Sequence, residues 1–205
     1  MEDQVPLIME NIFECTLGMI NKDFSEFPEH RVEFFNLLRA INLHCFPGMS
    51  SLTIQSLFAT NCLLALLKLD NRQFKFVIDS CLWASKHDNR DVETAGLNMC
   101  LELINNIAEK TDTTTCNAFF NQFFVPILQD VFFVVTDQDH KAGFKAQSML
   151  LMRMFYFIHP ADNTAPKIQG PIYQPGQAVQ GTSNREFLGN FVATTLQNAF
   201  SNLTV

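Results

Sequence analysis

The sequence predicts an all-α fold in which antiparallel helix pairs stack one after another into a solenoid. Apolar residues recur at spacings of three and four residues in segment after segment, and they almost never alternate as they do in strands. Short polar turns separate these segments, and 47% of the 205 residues are hydrophobic, which is enough for a continuous core. Together these observations predict about three antiparallel helix pairs followed by a final helix.

The first predicted pair lies at the N-terminal end. The apolar stripe of its first helix consists of Val5, Ile8, Ile12, Cys15 and Met19. Pro28 fits the first turn of the second helix, because that position needs no backbone N–H. The stripe of this second helix consists of Phe34, Leu37, Leu38, Ile41 and Cys45. Because the connection is short, the two helices are expected to lie antiparallel.

The second pair is predicted around a turn at Asp88 and Asn89. Asp70 and Gln73 have the spacing of a capping box that opens its first helix. The buried face of this helix is expected to consist of Phe74, Val77, Ile78, Cys81, Leu82 and Ser85. The next helix has an apolar side made of Val92, Met99, Cys100, Leu103 and Ile107. A polar stripe follows its other side through Asp91, Thr94, Asn98, Glu102, Asn105 and Glu109. One side is therefore expected in the core and the other in water.

Two strongly apolar segments form the third predicted pair. Phe119–Val135 follows a polar turn, and a second turn from Asp137 to His140 leads into Ala142–Ile158. Helices that are apolar on every side are expected to be buried between neighbours. Pro126 lies inside the first segment and lacks a backbone donor, which predicts a kink or a new helix start there.

The C-terminal part is predicted to be a loop followed by one helix. Residues 160–182 contain four prolines and three glycines, a composition typical of loops. Ser183 and Glu186 form a second capping box. The stripe of the last helix consists of Leu188, Phe191, Val192, Leu196, Ala199 and Leu203. Helix, polar turn, helix and polar loop thus recur roughly every 45 to 60 residues, which indicates helical hairpins of the HEAT type. A single compact helical bundle is the alternative fold.

Charge and cysteine spacing exclude several classes of protein. The net charge of -7 argues against direct nucleic-acid binding, which requires clustered Lys and Arg. The six cysteines form no C-x-x-C pair, so we interpret them as reduced core thiols. No signal peptide and no polar-free run of about 18 residues is present, so we expect no membrane insertion and a cytosolic or nuclear location.

Residues that could support catalysis do not converge in any recognised pattern. The sequence has no glycine-rich phosphate loop, no H-E-x-x-H and no G-x-S-x-G. The five histidines fall at or near predicted helix ends, where an imidazole caps carbonyls or contacts water. The D-x-D-H turn at residues 137–140 is better explained by helix capping than by metal or acid-base chemistry. We therefore predict no catalytic residue, no metal site and no cofactor, and a chain that acts by binding proteins.

Short segments in a fixed order along the chain resemble one family of transport receptors. They include FECTL at 13–17, MINKDF at 19–24, PEHR at 28–31, HCFP at 44–47, QFK at 73–75 and FVVTD at 133–137. In these segments the chain is similar to the nuclear exportins of the karyopherin-beta family, in the HEAT repeats towards their C-terminal end. The segment Lys86–Glu93 is most similar to fungal members. The resemblance covers nearly the whole chain.

The resemblance implies a receptor that binds cargo with leucine-rich export signals together with Ran-GTP. It implies contact with Phe-Gly nucleoporins and shuttling between the nucleus and the cytoplasm. The family's Ran-binding N-terminal repeats, export-signal groove and reactive groove cysteine lie upstream of the matching part, so none of the six cysteines receives that role.

Candidate partner-binding residues also follow from the resemblance. In this family the second helix of each repeat lines the concave face, which makes Asn98, Glu102 and Asn105 the candidate protein-binding residues. The alternative functions are a HEAT-type structural scaffold of another protein assembly and an enzyme of unrecognised type.

Residues 48–64 depart from the family pattern. In the family, sequence equivalent to Phe46-Pro47 continues directly into Ala65-Leu66-Leu67, whereas 17 residues intervene in this chain. Two explanations remain open. Gly48-Met49-Ser50 can be encoded by a splice-donor sequence and Thr60-Asn61 by a branch-point sequence, which suggests a retained intron. A genuine surface insertion would cost little loop-closure entropy.

Overall fold

The computed structural model describes residues 7, 10–12, 15–16, 27–44, 71–137, 143–162, 164–176 and 183–200. Within these ranges the regular secondary structure is helical and no strand occurs, so the prediction of an all-α, HEAT-like fold is confirmed. The chain divides into an N-terminal unit, Met1–Asn106, and a C-terminal unit, Ile107–Val205. The predicted insertion at 48–64 and the capping residue Asp70 lie outside the described residues.

The N-terminal unit contains α1 (Pro28–His44), α2 (Asn71–Ala84) and most of α3 (Arg90–Lys110). Pro28 is the first residue of α1, as the sequence predicts. The predicted core residues of α2 and α3 are buried without exception: Phe74, Val77, Ile78, Cys81, Leu82 and Ser85 in and just after α2, and Val92, Met99, Cys100, Leu103 and Ile107 in α3. Hydrophobic periodicity therefore identified this core correctly.

Cys15 is exposed, so the prediction of a core thiol is wrong at this position. Its helical neighbours on the same face are Leu7 and Asn11, eight and four residues earlier, and both are exposed. Among the described residues of this segment, Ile12 and Thr16 are half-buried. Of the predicted stripe, Ile12 is thus half-buried and Cys15 is exposed, while Val5, Ile8 and Met19 lie outside the described residues.

His87, in the turn between α2 and α3, is buried. Its Nε2 lies 2.8 Å from Nη1 of Arg31, and its Nδ1 accepts the backbone N–H of Asn89 at 2.8 Å. The Arg31 guanidinium also lies 5.1 Å from the centre of the Trp83 ring, which meets His87 edge to face. The expectation that helix-end histidines cap carbonyls or contact water is wrong for His87, because the first turn of α1 covers this turn.

The C-terminal unit contains the last turn of α3, then α4 (Thr113–Thr136), α5 (Phe144–Ile158) and α6 (Asn184–Ala199). Asp112 caps α4, because its Oδ1 accepts the N–H groups of Thr114 and Thr115 at 2.9 and 3.0 Å. Helix α4 packs against α5 and α6. Phe120 of α4 contacts Phe157 at the end of α5, with ring centres 5.8 Å apart, so α4 and α5 run antiparallel.

Helix α4 continues through Pro126, so the predicted new start does not occur. The missing N–H of Pro126 would have bonded to the carbonyl of Gln122, one turn earlier. Both residues are exposed, so water can satisfy that carbonyl. The proline is therefore tolerated on the outer side of the helix.

Helices α5 and α6 are less buried than predicted. Phe133 of α4 and Phe144, Met149 and Met152 of α5 are exposed, so the expectation of burial on every side is wrong for both helices. No residue of α6 is buried, and the described residues of its predicted stripe are half-buried or exposed, while Leu203 lies outside the described residues. The main contacts of α6 are with α4 and the preceding loop, and these cover only part of its surface.

Within the described ranges, α4 is the one helix whose length and apolar composition would let it cross a bilayer, with a mean hydropathy of 1.6. Packing inside the protein buries 56% of that apolar stretch. The core helix of a folded domain has the same composition, so the contacts of α4 with α5 and α6 account for it.

Candidate functional site

The predicted protein-binding residues Asn98, Glu102 and Asn105 lie on the least covered side of α3. All three are half-buried, whereas Asp91 and Thr94 on the same side are exposed. The side of α3 that the sequence predicts to face water is thus its less buried side. The three side chains are less accessible to solvent than the predicted polar stripe implies.

Glu102 is held by Arg39 of α1. Nε and Nη2 of Arg39 lie 2.7 and 2.6 Å from the same carboxylate oxygen, Oε1 of Glu102. The hydrogen bond and the negative charge of Glu102 raise the pKa of Arg39. The Arg39 side chain is 46% exposed and that of Glu102 24%, so the pair lies at the rim of the helix contact. A partner that binds the charged carboxylate of Glu102 must therefore contact an existing ion pair.

A second polar contact lies one turn further along both helices. Nδ2 of Asn106 donates to the backbone oxygen of Asn42 at 3.4 Å. Asn42 is fully buried, and neither polar atom of its side chain has a hydrogen-bond partner among the described protein groups. We call Arg39, Asn42, Glu102 and Asn106 the polar seam. Burying a polar group without a hydrogen bond costs free energy. The polar seam therefore stabilises the contact between α1 and α3 less than an apolar contact would.

The cysteines near α3 cannot act as nucleophiles. Cys81 and Cys100 are buried, and loss of solvent raises the pKa of Cys100 to about 12. Burial also raises the pKa of Cys81, and the neighbouring Cys100 raises it further. Because the reactive form is the thiolate, both groups are inert at neutral pH, as their place on the buried stripes predicts.

The C-terminal unit has a surface pocket of about 280 Å³. Its lining consists of Ala108, Glu109, Thr111, Thr113, Cys116, Ala165, Pro166, Lys167 and Gln169. Burial raises the pKa of the Cys116 thiol, which donates to the backbone oxygen of Lys167 at 3.7 Å. In the part of the chain that the structure describes, no three His, Cys, Asp or Glu residues are grouped to hold a metal ion. The Cys116 thiol of this pocket is therefore not an activated nucleophile.

Sequence analysis missed two sets of contacts. The partners of Glu102 in the polar seam are distant in sequence, and hydrophobic periodicity does not predict contacts between distant residues. The second set is centred on Asn117 and Asn121, which hold the loop after α5. Two asparagines one turn apart on a mainly apolar helix were the available signal for this set.

Comparison with known proteins identifies a family. The family model described as CRM1 C terminal matches residues 1–59 and 54–205. Exportin-1 of Schizosaccharomyces pombe (strain 972 / ATCC 24843) is 44% identical over 201 residues, which are 98% of this chain and 16% of the relative. Protein EXPORTIN 1B of Arabidopsis thaliana is 37% identical over 205 residues, 100% of this chain and 17% of the relative.

Exportin-1 of Dictyostelium discoideum is 37% identical over 193 residues, which are 94% of this chain and 16% of the relative. The chain thus spans about a sixth of the length of the curated relatives that it matches. Its segments match the family model from residue 1 to residue 205. The chain therefore belongs to the exportin-1 (CRM1) family and corresponds to the C-terminal region of that family.

Proposed function

We propose that the chain forms part of a nuclear export receptor that carries proteins with leucine-rich export signals, together with Ran-GTP, through nuclear pores. The observation that carries this proposal is the match to exportin-1 relatives over at least 94% of the chain. The partners of the whole receptor are Ran-GTP, export-signal cargo and Phe-Gly nucleoporins. The receptor shuttles between the nucleus and the cytoplasm.

The role of this segment is to bind proteins and to shape the receptor, and it catalyses no reaction. The raised thiol pKa values support this proposal, because they leave Cys81, Cys100 and Cys116 protonated at neutral pH. The helix pairs with buried apolar faces also support it, since stacked pairs of this kind build extended binding surfaces.

The test is a chimera. The matching segment of the Schizosaccharomyces pombe exportin-1 is replaced by residues 1–205, and a second chimera also lacks residues 48–64. Nuclear clearance of a reporter with a leucine-rich export signal is then measured. If residues 48–64 are a retained intron, the shortened chimera clears the reporter as the unmodified receptor does, and the longer one clears it less well.

The chimera also separates the two candidate functions. Both purified chimeras are first checked for folding by circular dichroism. If they fold but neither binds cargo in a Ran-GTP-dependent way, the export proposal is wrong, and a structural scaffold of another assembly becomes the better explanation. Cargo binding by either chimera supports the export receptor.

We also propose that Asn98, Glu102 and Asn105 form a protein-binding surface of the N-terminal unit. Glu102→Lys alone is a poor test, because it also breaks the ion pair with Arg39. The matched variant is Arg39→Glu with Glu102→Lys, which restores an ion pair of opposite orientation. If a partner binds the charged carboxylate of Glu102, the affinity for Ran-GTP changes both in Glu102→Lys and in the double variant. Affinity that returns to the wild-type value in the double variant means that Glu102 acts only through Arg39.

A further inference from the structure

Residues 164–176 form an irregular segment without helix or strand that is bonded to α4, and we call it the strap. Two backbone N–H groups, of Lys167 and Ile168, donate to the carbonyl of Phe157 near the end of α5, at 2.9 and 3.2 Å. Ile168 and Ile172 are buried. The strap is therefore an ordered part of the C-terminal unit, although its composition is that of a loop.

Two asparagines of α4 hold the backbone of the strap. Oδ1 of Asn117 accepts the N–H groups of Gln169 and Gly170 at 3.0 and 2.9 Å. One turn later, Nδ2 of Asn121 donates to the carbonyls of Pro171 and Tyr173 at 2.9 and 3.1 Å. The two amides thus satisfy both donors and acceptors of the strap backbone.

The strap is bonded to α6 at the same place. Nδ2 of Asn184, the first residue of α6, donates to the carbonyl of Gly170 at 2.9 Å, and its Oδ1 accepts the N–H of Ile172 at 3.2 Å. Gly170 therefore bonds through its N–H to Asn117 of α4 and through its carbonyl to Asn184 of α6. One residue of the strap connects the two helices.

Helix α6 has little core of its own. None of its residues is buried. Its aromatic contacts are divided between the strap, where Tyr173 and Phe187 have ring centres 4.8 Å apart, and α4, where Phe132 and Phe191 are 6.3 Å apart. Because apolar burial is the main stabilising term in folding, the strap contributes a large share of what holds α6 in place.

We propose that the strap is a conformational clamp that decides whether α6 stays docked on α4. Release of the amide contacts at Gly170 frees α6, while the α4–α5 pair remains folded because its own core is unaffected. The three clamping side chains, Asn117, Asn121 and Asn184, are uncharged. The clamp is therefore insensitive to salt, unlike a docking contact built from ion pairs.

The test is hydrogen exchange of backbone amides in the full chain, compared between α6 and α5. Asn117→Ala and Asn184→Ala each remove two contacts to the strap. Gly170→Ala adds a Cβ about 3.0 Å from Cβ and Cγ of Asn117, a contact tight enough to disturb the hydrogen bonds of Asn117 to the strap. Each variant is expected to speed exchange in α6 by about five- to tenfold, the effect of one or two lost hydrogen bonds. Exchange in α5 should not change.

Gln169→Ala is the matched control. It lies next to Gly170 in the strap and its side chain is exposed, but its backbone N–H to Asn117 is retained. Folding is not at risk in Asn117→Ala, since Asn117 is half-buried and alanine favours helix. The proposal is overturned if α6 exchanges at the wild-type rate in all three variants, or if α5 speeds up as much as α6. It is also overturned if added salt alone releases α6.

Discussion

Gly96 of α3 packs directly against Ala84, the last residue of α2. A Cβ placed on Gly96 would overlap the Cβ of Ala84, and it would lie 3.4 Å from the carbonyl oxygen of Cys81. Both neighbours belong to a buried helix end that cannot move away cheaply. The close approach of α2 and α3 therefore requires glycine at this position.

We expect Gly96→Ala to destabilise the protein. Alanine in a helix interior is favoured over glycine by up to about 1 kcal/mol, but overpacking in a core costs about 1 to 3 kcal/mol, so the clash is the larger effect. The measurement is the urea dependence of helical circular dichroism. Gly189→Ala is the control, because no atom lies within 4 Å of a Cβ placed there. It should leave stability unchanged or raise it slightly. A neutral Gly96→Ala would show that the two helices separate without cost.

Alkaline pH should destabilise the core that contains Cys81 and Cys100. Because burial raises the pKa of both thiols above the ordinary value of 9.0, the unfolded chain loses its thiol protons first. Their contribution to stability is therefore complete below pH 9.0 and is lost as pH rises from there towards about 12. The measurement is the free energy of unfolding on either side of pH 9.0, with Cys100→Ala as the variant that shows a smaller loss.

Site-resolved alkylation provides an independent check of the same thiols. In the native protein Cys15 is exposed and should react with iodoacetamide, whereas Cys81 and Cys100 should react only after unfolding. Equal labelling of all three in native buffer would contradict the buried, neutral state.

Acid should weaken the start of α4. Hydrogen bonds from the side chain and backbone of Thr115, and from the backbone of Thr114, lower the pKa of Asp112 below 3.8. A carboxylate with a lowered pKa stabilises the fold above the ordinary value, and this contribution is lost as pH falls through the lowered one. Stability should therefore drop below pH 3.8. Asp112→Asn keeps a capping oxygen without a titratable group, so it should reduce the drop; an unchanged drop would assign it to other carboxylates.

The Arg39–Glu102 ion pair should contribute little to stability. Exposed pairs typically contribute about 0.2 to 1 kcal/mol, and the Arg39 side chain is 46% exposed. A double-mutant cycle with Arg39→Ala and Glu102→Ala measures the interaction in urea, at low and high salt. We expect a small coupling energy that decreases with salt. A large, salt-independent coupling would contradict the solvent exposure of the pair.

The sequence by itself determined the helices and most of the core. Spacings of three and four residues are a local property of the chain, so they identified the buried faces of α2 and α3 without any knowledge of neighbours. Capping signals are local as well. Ser183 was expected to cap α6, and its Oγ accepts the N–H of Glu186 at 3.2 Å. The resemblance of short segments likewise indicated the family before the fold was known.

Only the tertiary structure decided which apolar faces are covered and which polar groups pair. Cys15 and Met152 lie on apolar stripes but are exposed, because no periodicity states where a neighbouring helix lies. Arg39 and Glu102 are 63 residues apart, and Asn117 and Gly170 are 53 apart. Such contacts depend on how the helices and the strap stack. That arrangement follows from the packing of the whole unit, which no local sequence pattern encodes.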